Sequence, residues 1–181
     1  MKLTLDGRSL HLADLAPLSH GGQLELSLSE TARTAVRRAR ELVDRHVEAG
    51  NIVYGLTTGF GKLKSIAIPR EDLVTLQRNL VLSHCCGVGE PMPEPEVRAA
   101  QVLRLNGLAR GHSGVRLELV EALVAQFNAG FVPFVPQQGS VGASGDLAPL
   151  SHMAAAAMGH GEAWTGPVGA RRRAPAAEVL R

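Results

Sequence analysis

The chain has 181 residues, 45% of them hydrophobic and 20% charged, which suffices for one domain with a real core. Its 19 basic and 17 acidic side chains leave a formal net charge of +2, too little for a surface that binds a phosphate backbone, so nucleic acid is excluded as an expected partner. Met1-Lys2-Leu3-Thr4-Leu5-Asp6 lacks the uninterrupted apolar stretch of a secretory signal, and Met153 to Met158, the longest apolar run, is far too short to cross a bilayer. Adjacent Cys85 and Cys86 suit neither metal-ligand spacing nor an unstrained disulfide, so a reducing cytoplasm with no membrane partner and no metal is the expected setting.

Leu3-Thr4-Leu5, Asp6-Gly7 and Ser9-Leu10-His11-Leu12 read as two short alternating strands around a hairpin turn. From Ser29 to Ala49, Ala32, Ala35, Val36, Ala39, Leu42, Val43 and Val47 recur at helical spacing, with Ser29 as N-cap and Gly50 as stop. Asn51 to Lys64 holds Gly55, Gly59 and Gly61 around the lone Tyr54, which favours a mobile loop. Three helices follow: Glu71 to Cys86, ending at Gly87; Glu94 to Arg110, after a Pro-rich entry; and Val115 to Asn128, ending at Gly130.

Phe131 to Gly145 then breaks the periodicity, and Asp146 is placed to cap an Ala-rich helix running to about Gly159. Beyond it, Gly159 to Pro175 reads as a polar connection with Arg171-Arg172-Arg173 on a solvated turn, and Ala176 to Arg181 as the first turn of a helix. The expected fold is mainly α with a small N-terminal β-hairpin. Asp14-Leu15-Ala16-Pro17-Leu18-Ser19-His20 recurs letter for letter at Asp146 to His152, a shared helix-start sequence.

The chemistry concentrates in Gly139-Ser140-Val141-Gly142-Ala143-Ser144-Gly145-Asp146. A Walker-type phosphate loop fails, because no lysine follows Lys64. A nucleophile elbow is weak, because Asp146 stands where its second glycine belongs. A third reading uses the backbone. The Gly145 amide nitrogen attacks the Ala143 carbonyl carbon to close a five-membered ring, and Ser144 loses its hydroxyl as water to leave an exocyclic methylidene. Glycine leaves the nitrogen unhindered, alanine leaves the carbonyl uncrowded, and Asp146 stands beside the ring to assist proton transfer. The product, 4-methylideneimidazol-5-one, is an electrophile, which side chains do not otherwise provide. Taken alone, Ala-Ser-Gly is more often a linker ahead of a capping aspartate.

Its surroundings decide otherwise. Ala143-Ser144-Gly145-Asp146-Leu147-Ala148-Pro149-Leu150-Ser151-His152 closely resembles the signature of the histidine and aromatic amino-acid ammonia-lyase family, in which this tripeptide becomes that cofactor. Tyr54 to Gly61 resembles the family's tyrosine loop, Gln77-Arg78-Asn79-Leu80 through Ser83-His84 and Gly87-Val88-Gly89 its next helix, and Gly111 to Arg116 a further segment, all in the expected order. The resemblance implies the N-terminal, cofactor-bearing portion of a fumarase/aspartase-like helical lyase, spanning residues 1 to 181, with a C-terminal helical bundle lying outside this chain.

The resemblance also implies roles. Tyr54 is the general base that takes the substrate β-proton, against a bland reading as a packed loop tyrosine. His84 is a substrate contact, against a bland reading as a helix-end residue on the dipole. Ser83-His84 resembles the histidine-specific members, which implies L-histidine as substrate, non-oxidative loss of ammonia and trans-urocanate as product, the first step of histidine degradation. Phenylalanine or tyrosine lyases, aminomutases using the same cofactor, and a catalytically incomplete association module remain alternatives. Thr57 departs from the asparagine common in the tyrosine loop. The other histidines, His11, His20, His46, His112, His152 and His160, carry no assigned chemistry. A homotetramer is implied, with an arginine for the substrate carboxylate supplied from outside the chain; the 181 residues alone are expected to have little activity.

Overall fold

Apolar residues alternate with polar ones in both short strands at the N-terminus, and this pattern fixes their common buried face. A computed structural model describes residues 1–181 apart from Phe60, Lys62, Leu63, Ser65, Ala143, Ser144, Val168 and Gly169. Strand β1 (Lys2–Leu5) pairs in parallel with β2 (Glu25–Leu28), Leu3 opposite Leu26 and Leu5 opposite Leu28. Leu5, Leu26 and Leu28 are buried, while Thr4 and Ser27 share a 3.1 Å hydroxyl contact on the outer face.

The expected hairpin around Asp6-Gly7 is therefore corrected to a parallel crossover. Asp6 Oδ1 accepts the amides of Arg8 and Ser9 at 2.7 and 2.8 Å, an Asx turn that leads the chain away from β1. The Gly7 amide, which a hairpin would use locally, donates to Asn106 Oδ1 at 3.0 Å. A 3-10 turn (Leu12–Leu15) and helix α1 (Ala16–Ser19) complete the connection to β2.

Helix α2 (Glu30–Glu48) starts as its sequence requires, with Ser29 Oγ accepting the Ala32 amide at 3.1 Å. It packs with α4 (Glu94–Ala109) and α5 (Leu117–Asn128) over the first sheet. The main core joins Leu5, Leu26 and Leu28 to Val36, Val102, Leu105, Val120 and Phe127. The Arg98 guanidinium lies 4.1 Å above the ring of fully buried Phe127.

Between α4 and α5, the Gly111-His112-Ser113-Gly114 segment is shaped by closeness to α2. Gly111 has φ +71°, and a Cβ there would lie 2.5 Å from the Ala35 carbonyl carbon. The family-like segment is thus a glycine crossing against a helix.

Three segments differ from expectation. Helix α3 is shorter than Glu71 to Cys86, comprising a 3-10 turn (Arg70–Asp72) and α3 proper (Leu73–Ser83). The Phe131 to Gly145 break contains β4 (Val132–Pro133) and β5 (Pro136–Gln138); β5 pairs antiparallel with β3 (Val88–Pro91). Gly159 to Pro175 is not a solvated connection, because β6 (Glu162–Thr165) and β7 (Arg172–Pro175) extend β4 into a three-stranded antiparallel sheet.

Pairing explains why the arginine run suits that sheet. Arg171 Nε meets Glu94 Oε2 at 2.7 Å, and Arg173 meets Glu162 at 3.0 Å while stacking 4.3 Å above the Phe134 ring. Helix α6 (Leu147–Ala157) rests on two smaller clusters, Phe131, Ala156, Ala163 and Ala176 in one, and Val97, Val132 and Val135 with Met153 in the other. Helix α7 (Ala176–Val179) closes the described fold, which is mainly α as expected. No helix among the described residues is long and apolar enough to cross a membrane.

Candidate functional site

Tyr54 opens a turn over residues 54–57 whose backbone is held by two threonines. Thr57 Oγ1 accepts the Val53 amide at 2.9 Å and donates to the Asn51 carbonyl at 2.7 Å, so the hydroxyl that replaces the family's asparagine stitches the loop to itself. Thr58, fully buried, accepts the Gly55 amide at 3.2 Å and donates to the Gly59 carbonyl. The Thr57 carbonyl accepts from Ile68, and Thr58 bridges to Ala67, which closes the loop at its base. Above this frame the Tyr54 side chain is 63% exposed.

His84 sits at the C-cap of α3. Its Nδ1 lies 2.8 Å from the Leu80 carbonyl, and a carbonyl only accepts, so Nδ1 carries a proton. Ser83 Oγ donates to the same carbonyl at 3.0 Å. The Cys86 amide turns back to the His84 carbonyl at 2.8 Å, which ends the helix three residues earlier than its apolar pattern suggests. Cys85 and Cys86 are free thiols; burial raises the Cys85 pKa, aided by neighbouring Cys86, and keeps it protonated.

Of the tripeptide expected to form the cofactor, Ala143 and Ser144 lie outside the described residues. Gly145 has φ +109°, a region that favours glycine, and a Cβ built there would meet nothing within 4 Å. The backbone at Gly145 is therefore in a glycine-favouring conformation with open space on its Cβ side. Asp146 holds the N-cap position of α6, but its carboxylate makes no cap hydrogen bond and accepts instead from the Ser140 hydroxyl. That contact joins two residues six apart, one on each side of the Ala143-Ser144-Gly145 segment.

The structure links the His84 turn to helix α6 through His152, to which the sequence reading assigned no chemistry. His152 Nε2 accepts the Gly87 amide at 3.1 Å. Burial lowers the His152 pKa, favouring the neutral ring that this contact needs. Gly139 crosses Gly87 so closely that a Cβ on Gly139 would lie 2.9 Å from the Gly87 Cα and 3.1 Å from the Ala148 Cβ. The available signal was spacing: Ala148 and His152 are four apart on α6, a small residue and an acceptor on one face opposite two glycines. Gln77, seven residues before His84, is exposed.

Cavities lie elsewhere. One of about 660 Å³ is lined by Met1, Gln23, Glu94, Arg98 and Arg171 among others, and one of about 320 Å³ is an apolar cleft between α4, α5 and α6. Among the described residues, the sequence-predicted Tyr54, His84, Gly145 and Asp146 line neither.

The chain is 49% identical over 163 residues to the histidine ammonia-lyase of Caldanaerobacter subterraneus subsp. tengcongensis, covering 90% of this chain and 32% of that protein. It is 50% identical over 182 residues to the histidine ammonia-lyase of Anaeromyxobacter sp. strain K, covering 99% of this chain and 36% of that protein. Among solved structures, histidine ammonia-lyase from Trypanosoma cruzi superposes with a TM-score of 0.90 at 39% identity, over 99% of this chain and 34% of that one. The chain thus spans about a third of the length of the relatives it matches. The aromatic amino acid lyase profile matches residues 10–181, a span that includes the tyrosine loop, the Ser83-His84 turn and the Ala143-Ser144-Gly145 segment, and the chain belongs to that family.

Proposed function

We propose that the whole protein eliminates ammonia from L-histidine to give trans-urocanate, and that residues 1–181 form its cofactor-bearing N-terminal domain. The observation that carries the proposal is the glycine-favouring backbone at Gly145, φ +109°, in a sequence that can supply each atom of a 4-methylideneimidazol-5-one ring. The histidine ammonia-lyase relatives and Ser83-His84 favour histidine over other aromatic substrates.

Once formed from Ala143-Ser144-Gly145, the ring supplies an electron-poor alkene that draws electrons from the substrate and eases departure of its amine. The chain's own residues then divide the remaining work. Asp146, clasped by Ser140, keeps a carboxylate beside the ring for proton transfer. His84, its Nδ1 committed to the Leu80 carbonyl, offers Nε2 to an N–H of the substrate. Tyr54 takes the weakly acidic β-proton, and its exposed phenol fits a loop that meets substrate arriving from outside the domain.

Exposed Val74, Leu82, Leu103 and Leu119 on α3, α4 and α5, together with the apolar cleft between helices, support burial of apolar surface in a larger homotetrameric assembly. The two free thiols fit a cytoplasmic setting.

The mass of the peptide containing residues 143–145, taken from protein that turns over histidine, tests the proposal. Loss of two waters is expected, with Ser144→Ala abolishing both the dehydration and urocanate formation. An unmodified peptide in active protein would remove the cofactor from the mechanism.

A further inference from the structure

We infer that His152 is a positioning residue, fixing where the His84 turn stands relative to the cofactor segment. The inference rests on the function proposed above. His84 is held at the end of α3 by Leu80, Cys86 turns back onto His84, and the next amide, Gly87, donates to His152 Nε2 at 3.1 Å. His152 lies on α6, whose first residue, Leu147, follows Gly145 and Asp146 in the chain. Four residues, Ala148 to Ser151, therefore lie between Leu147 at the start of α6 and the acceptor that holds the His84 turn.

The backbone of the His84 turn is thus tied to α6 by one hydrogen bond, from the Gly87 amide to His152 Nε2. The Gly87 amide is bound while the strand register of β3 and β5 begins immediately beyond it, at Val88 and Gln138. Without an acceptor at this point, the turn keeps its attachment to α3 and to β3 but loses its direct tie to α6. The two sides of the site are then free to shift against one another, and shifts below an ångström suffice to misplace a contact at a reacting centre.

The geometry also fixes the chemistry of the ring. An amide only donates, so His152 Nε2 must be unprotonated, and the neutral ring carries its proton on Nδ1. No metal, oxidation or covalent step is involved. His152 acts entirely as an acceptor.

The experiment compares His152→Ala and His152→Gln with the parent in the full-length protein, using L-histidine as substrate. Glutamine keeps a side-chain oxygen that can accept the Gly87 amide. The expected result for His152→Ala is a KM for histidine raised about tenfold, the loss of one ordinary hydrogen bond, with kcat changed much less. His152→Gln should recover most of that loss. Amide exchange at Gly87 should quicken in the alanine variant and stay slow in the glutamine variant, and the neutral parent ring should be the Nδ1–H tautomer.

An unchanged KM in His152→Ala with faster Gly87 exchange would overturn the inference, as would equal behaviour of the two variants. The exchange and tautomer measurements need no substrate. Failure of the parent to use histidine would therefore sink the proposed function, whereas fast Gly87 exchange or an Nε2–H ring in the parent would sink this one.

Discussion

Replacing Gly139 with alanine perturbs the crossing on which the candidate site is built. The new Cβ would lie 2.9 Å from the Gly87 Cα and 3.1 Å from the Ala148 Cβ, and the backbone at φ +152° strains any L side chain. Strain of this kind costs about 1–3 kcal/mol. The Gly87 contact is with backbone, which cannot rotate away, and forced overpacking adds about 1–3 kcal/mol. Together they give about 2–6 kcal/mol, or a fall of roughly 4–24 °C in the unfolding midpoint for a chain of this size.

Gly87→Ala is the matched control. Its Cβ would approach His152 Nε2 at 3.0 Å and the Gln138 carbonyl at 3.2 Å, with no positive φ, so a small movement of the imidazole relieves most of the contact. The cost should be about 1 kcal/mol. Adding Ala148→Gly to Gly139→Ala should restore only part of the loss, because the Gly87 contact persists. Urea unfolding of the three variants and the parent measures all of this. A Gly87→Ala penalty equal to that of Gly139→Ala, or full rescue by Ala148→Gly, would refute the reasoning.

Four further outcomes are expected. Ser29→Ala should cost about 1 kcal/mol in urea unfolding by freeing the Ala32 amide, and Ser29→Asp should recover it. Phe127→Ala should cost about 3–5 kcal/mol, the price of a fully buried ring, and leave Arg98 without its aromatic seat. Because burial lowers the His152 pKa below 6.5, the unfolded chain takes up this proton first as pH falls. Stability from this group is complete above 6.5 and is lost on descending from 6.5 toward the lowered folded value. The urea midpoint should therefore fall less steeply over that interval in His152→Gln than in the parent, and equal slopes would count against a buried neutral ring. Finally, the 181-residue chain purified alone should form little or no urocanate, and robust turnover would show that no further residues are needed.

The helices were legible because their signals are local. Ser29, the apolar spacing of α2 and Gly50 mark one helix without reference to anything distant, and α4 and α5 behave alike. The strands were less so. The pairing of β1 with β2 depends on residues more than twenty apart, and the Asp6-Gly7 pair supports an Asx turn as readily as a hairpin until Asn106 is known to receive the Gly7 amide.

The sheet built by β4, β6 and β7 was hidden by its composition. Arginines look solvated until Glu94, Glu162 and Phe134 are found beside them. In the candidate site, Tyr54, His84 and the Ala143-Ser144-Gly145 segment were found through resemblance to the family. The tie through His152 was not found, because an acceptor for a backbone amide leaves no mark in a single sequence.

The repeated heptapeptide carries a lesson of its own. In the first copy Leu18 is buried and Ala16 exposed; in the second the equivalent Ala148 is buried and Leu150 exposed. The first copy stops after the four residues of α1, where Gly21 and Gly22 follow, while the second runs on through an alanine-rich stretch to Ala157. Seven identical letters therefore turn opposite sides toward the protein. A short helical segment is too brief to choose its own face, and the choice belongs to the chain that continues it and the surface that receives it.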